Sequence, residues 1–89
     1  MSATIAVPAE RRTVTYTAVF TAGEDGWIRA QAIELPEAIS QGRTLEQARD
    51  NLAEALEAAL AWRADEGEPI PPPSRATLSP ITVAAPRRD

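Results

Sequence analysis

One amphipathic helix dominates the chain. It opens at Thr44-Leu45-Glu46-Gln47, which has the pattern of a capping box: the threonine oxygen binds the amide of Gln47, whose side chain reaches back. Leu45, Ala48, Leu52, Leu56, Ala59 and Leu60 then recur at spacings of three and four along one stripe. Glu46, Asp50, Glu54 and Glu57 take the far side. Gly67 is a natural stop, so the pattern predicts a helix from residue 45 to about residue 65, roughly 30 Å long. The interspersed alanines favour helix and let its backbone lie close to a neighbouring layer. A helix with one apolar stripe must bury it against something, and the rest of the chain offers strands to receive it.

The first of these strands lies in Thr13 to Ala22, which is rich in β-branched and aromatic residues. Val14, Tyr16, Ala18 and Phe20 share one face, and Thr13, Thr15, Thr17 and Thr21 the other. Gly23-Glu24-Asp25-Gly26 allows positive φ and a reversal into Trp27 to Ala32. In that second strand Ile28, Ala30 and Ala32 face inward, opposite Trp27, Arg29 and Gln31. Leu35-Pro36 interrupts the ladder because proline has no amide hydrogen, leaving Ala38 to Gly42 as a short third strand. After the helix, Pro69-Ile70-Pro71-Pro72-Pro73 is a stiff extended spacer, which Trp62 is placed to cover. Leu78 to Ala84 offers a last strand, confined by Pro80 to an edge. A single cross-sheet helix returns that strand parallel to the first through a right-handed crossover. The expected fold is α+β in the order β-β-β-α-β: a three-stranded antiparallel meander with a parallel fourth strand, one face covered by the helix.

At 89 residues the chain holds one domain at most. Residues 1–12 read as a flexible leader and 85–89 as a flexible tail, which leaves 13–84 as the folded unit. A core of that size is marginal without metal or disulfide, and association stabilises it. There is no cysteine, hence no disulfide framework or cysteine-based zinc site. Histidine is absent and all nine basic residues are arginine, which removes imidazole bases, imidazole ligands and Schiff-base lysines together. No enzyme activity and no cofactor are therefore expected. The net charge of −4 gives no bulk attraction for nucleic acid and suits a basic partner. The longest apolar run, Ala58 to Trp62, is far short of the roughly 18 residues that span a bilayer, and no signal-peptide pattern opens the chain. A cytoplasmic protein is expected.

Several blocks in order carry a family resemblance. They are Tyr16-Thr17-Ala18-Val19-Phe20, Asp25-Gly26-Trp27, Glu34-Leu35-Pro36, Ser40-Gln41-Gly42, Thr44-Leu45-Glu46-Gln47-Ala48, Asn51-Leu52-Ala53-Glu54-Ala55-Leu56, and Glu68-Pro69-Ile70-Pro71-Pro72-Pro73-Ser74. The set resembles the HicB antitoxin family over about residues 14–84, with the proline block after the helix weighing most. The resemblance implies a compact β-β-β-α-β domain, likened to a truncated ribonuclease H fold. Its implied role is to bind and block a small messenger-RNA-cleaving toxin of the HicA type. Glu37 stands where many members have glycine after the Leu-Pro pair. Full-length members commonly append a helix-turn-helix or ribbon-helix-helix segment, whereas only Ala85 to Asp89 follow here, so direct DNA binding is not expected.

From that resemblance the toxin contacts are expected at Glu24, Asp25, Trp27, Glu34 and Glu37. Trp27 is the sharpest of these, an aromatic on the polar face of its strand beside an acidic turn. The uncovered sheet face, with Thr15, Thr17, Val19, Arg29 and Gln31, is the expected homo-oligomer interface. A second reading is a solo oligomeric scaffold or small-ligand-binding module without a toxin. A third takes Glu24, Asp25, Glu34 and Glu37 as a hard-metal nuclease site, but most of them fall in turns, and two-metal chemistry needs carboxylates converging on one point. Arg11-Arg12 and Arg87-Arg88 are expected at opposite ends of parallel neighbouring strands, and so do not form one phosphate-binding patch.

Overall fold

A computed structural model describes residues 13–87. The leader 1–12, with Arg11 and Arg12, and residues 88–89 of the tail lie outside the described residues. Three strands, β1 (Ala18–Ala22), β2 (Ile28–Ala32) and β3 (Ile39–Gly42), precede one helix, α1 (Leu45–Glu66). The strands form one antiparallel sheet in the order β1-β2-β3. The α+β class and the three-stranded meander thus follow the sequence pattern, with strands that begin later than propensity alone suggests.

The β1–β2 turn closes through Gly23 N–H to Trp27 O at 2.8 Å. Gly26, at φ 86°, supplies the left-handed residue the reversal needs. Asp25 Oδ1 accepts from Trp27 N at 3.1 Å, an Asx turn that fixes the loop. Register pairs Val19 with Gln31 and Gln31 with Ile39, placing all three in one row on the open face. Phe20, Ala30 and Ser40 form the next row, on the helix side.

Thr44 caps α1 with its Oγ1 accepting from Gln47 N at 3.0 Å. Gln47 Oε1 reaches back to Arg43 N, one residue beyond the N-cap amide of a standard capping box. Gly67, at φ 73°, ends the helix, and Glu68 N returns to Arg63 O at 2.8 Å. The buried core comprises Ala30, Ala32, Leu35, Ala38, Ala48 and Leu52. Leu35 is the largest fully buried side chain, so close approach of helix to sheet substitutes for bulk. Gly42 makes that approach possible: a Cβ there would stand 2.5 Å from Ala48 N and 2.8 Å from Gln47 C. Leu56, Ala59 and Leu60 pack at the margin of the core. Leu45, expected in the stripe, is 48 % exposed.

The parallel fourth strand expected over 78–84 is not part of this sheet. The proline run leaves α1 as anticipated and is tied down by Arg63 Nη1 to Pro69 O and by Tyr16 Oη to Pro71 O. Trp62, expected to cover it, stays 58 % exposed, and Arg63 and Tyr16 hold the segment instead. At Arg75 the backbone takes φ 57°, a left-handed turn, and the following residues leave the domain with Ile81 84 % and Val83 75 % exposed.

Candidate functional site

The sequence-selected carboxylates separate into two kinds. Glu34, just after β2, is enclosed by its own chain: Oε1 accepts from Thr17 N at 2.8 Å, and Oε2 accepts from Thr17 Oγ1, Ser74 N and Ser74 Oγ at 3.0, 3.0 and 2.7 Å. Withdrawal from water alone would raise this carboxyl. The hydrogen bonds from Thr17 and Ser74 outweigh it and hold the group down to about 2. Burial, and then the Glu34 charge, push the nearby Tyr16 hydroxyl up. Glu34 therefore fastens the start of β1 to the end of the proline run.

Glu37 is likewise engaged. Its Oε2 accepts from Arg63 Nε at 3.0 Å and lies 2.8 Å from Nη2. Its own backbone amide and the Arg63 guanidinium hold the carboxyl below the usual range. This pair ties the β2–β3 loop to the last turn of α1 and carries Arg63 on to Pro69. Sequence reasoning treated Glu34 and Glu37 as surface contacts because their partners, Ser74 and Arg63, are 40 and 26 residues distant.

The hairpin tip behaves differently. Glu24 and Asp25 are exposed, and among the described residues neither forms an ion pair. Half-buried Trp27 lies under Arg43, whose guanidinium carbon is 4.2 Å from the ring centroid. Arg43 comes from the loop between β3 and α1, so two connections converge to hold one aromatic ring. Sequence reasoning missed Arg43. Its only signal was position beside the helix cap, which says nothing of a ring in another hairpin. The acidic tip, the stacked indole and the guanidinium form a compact patch with exposed carboxylates and a half-buried aromatic.

The open sheet face brings together Thr17, Val19, Arg29 and Gln31 from the expected oligomer set, with Thr15 exposed in the segment before β1. It adds Ile33 and Ile39, 39 % and 41 % exposed. Simple alternation through β3 could have found Ile39. Two shallow depressions lie there, one between Val19, Thr21, Arg29 and Gln31 and the other running from Val19 toward Ile33 and Pro36. Thr17 is partly committed to Glu34.

Among the described residues no group of three or more aspartates and glutamates is placed to hold a metal ion. Glu34 and Glu37 instead engage different partners, Thr17 with Ser74 and Arg63. Among the described residues no helix is long and apolar enough to cross a membrane. Compared with known proteins, the chain matches no family model and no curated sequence.

Proposed function

We propose that this domain is a HicB-like antitoxin, a non-enzymatic inhibitor that binds a small basic HicA-type RNA-cleaving toxin and covers its active face. The observation that carries this reading is the hairpin tip. Glu24 and Asp25 are exposed without cationic partners among the described residues, beside an indole held in place by Arg43. Exposed carboxylates steer a basic protein to the site, and an aromatic already stacked on a neighbour offers contact area at little cost in side-chain freedom. The family resemblance of the sequence blocks supports the same assignment. Glu34 and Glu37 contribute by fixing the framework.

RNA cleavage by the cognate toxin, titrated with the antitoxin, tests this. Trp27→Ala and Asp25→Arg are each expected to weaken protection at least about tenfold, in the range of interface anchors. Full protection by both variants would exclude the tip as the contact.

The second reading, a solo homo-oligomeric module, draws on the open sheet face, where Val19, Ile33 and Ile39 leave apolar surface uncovered. Trp27 continues the row of Arg29 and Gln31, so the hairpin tip borders the sheet face. Localisation in the cytoplasm belongs to this proposal.

A further inference from the structure

Among the described residues neither the C-terminal arm nor the outer edge of β1 is paired with another strand. Ile33 N–H bonds Thr17 O, and Gly23 N–H bonds Trp27 O, so the odd-numbered residues of β1 direct their backbone groups toward β2. By the alternation of an antiparallel ladder, Ala18, Phe20 and Ala22 then direct theirs outward, to an edge that no strand covers among the described residues. The opposite edge is better protected. Asn51 Nδ2 donates to Gln41 O at 2.8 Å, and α1 packs most closely on β3 and least on β1.

The arm has the matching features. Ser74 is fixed by Glu34, the left-handed Arg75 turns the chain, and Ala76 N bonds Ser74 Oγ at 3.2 Å. Beyond that point Leu78, Ile81 and Val83 are 57 %, 84 % and 75 % exposed. As a strand, the segment puts Ile81 and Val83 on one face. A register with Ser79, Ile81 and Val83 donating to a neighbour leaves Pro80, which has no amide hydrogen, facing away from it. Beyond the left-handed Arg75 the segment is exposed and does not pair with its own β1. The radius of gyration, 17.9 Å against about 12 Å for a compact chain of this length, reflects an element standing clear of the body.

We propose that two copies of this chain exchange their arms, with Leu78–Val83 of each pairing along the outer edge of β1 in the other. The exchange supplies the fourth strand from the partner copy, pairs the outer edge of β1 in each copy and lets Ile81 and Val83, which share a face, pack on the helix side. It is isologous, so it closes at a dimer. It deepens the oligomer part of the proposed function and is independent of any toxin.

Light scattering on the full chain after size exclusion, with amide hydrogen exchange, provides the test. The expected mass is twice the 9.6 kDa of one chain, with Ala18, Phe20 and Ala22 amides protected. Ile81→Asp combined with Val83→Asp is expected to halve the mass and expose those amides while helical circular dichroism is retained. Ala22→Pro, which removes an outward amide at an exposed position, is expected to halve the mass with the arm intact. A monomeric wild-type chain would overturn the exchange, even with the β1 amides protected by the chain's own arm. So would a dimer whose mass survives both changes.

Discussion

Glu34 and Ser74 are 40 residues apart, yet one carboxylate oxygen accepts both the backbone amide and the hydroxyl of Ser74, at 3.0 and 2.7 Å. The other oxygen accepts from Thr17 N, at the end of the β1–β2 ladder where a further backbone partner would otherwise stand. One ionised side chain thus joins three segments: the start of β1, the exit of β2 and the end of the proline run. It also sets the point from which the C-terminal arm departs.

The pH dependence of stability follows. The carboxyl sits at about 2 in the folded chain against an ordinary value of 4.5, so the unfolded chain takes up the proton first as pH falls. The stabilisation from Glu34 is complete above about 4.5 and is lost as pH falls through about 2. Thermal melts of the wild type and Glu34→Gln across this range should show a melting-temperature gap that is widest near neutrality and narrows through that interval. A gap unchanged by pH would exclude the ionised clamp.

Gly42→Ala is expected to destabilise the fold by about 2 kcal/mol, the range for overpacking a close contact. The added carbon meets backbone atoms of Gln47 and Ala48, which cannot rotate aside, so β3 and α1 must separate. Urea denaturation monitored by helical circular dichroism measures the loss. Gly67→Ala, with no atom within 4 Å of the added carbon, reports the strain of φ 73° alone.

Thr44→Ala removes the oxygen that accepts the Gln47 amide and is expected to cost about 1 kcal/mol. Thr44→Asp should restore most of it, because aspartate caps the same amide and places negative charge at the positive end of the helix. Chemical denaturation midpoints of the two variants compare them directly.

Arg43→Gln removes the cation stacked on Trp27, with an expected cost of about 0.5 to 1 kcal/mol for a surface pair. In a Trp62→Phe background, which silences the other indole, Trp27 fluorescence should shift to longer wavelength as water reaches the ring. An unchanged spectrum would show that Arg43 does not cover the indole in solution.

The helix and the meander were legible because their determinants are local. The capping threonine, the three-and-four spacing from Ala48 to Leu60 and the terminal Gly67 act over one or two turns. The alternation around Gly23–Gly26 sets which side of a strand faces the helix. Within those elements, sequence alone determined that Ala30, Ala32, Ala48 and Leu52 would form the core. Tertiary structure decided the rest, because it turned on partners brought together only by folding. Glu34 and Glu37 became clamps within the chain when Ser74 and Arg63 reached them, Trp27 gained Arg43 from a different loop, and Leu45 stayed exposed. The strand propensity of 78–84 is local and real, but pairing requires an accessible edge in the right direction. Beyond the left-handed Arg75 that segment does not pair with its own sheet.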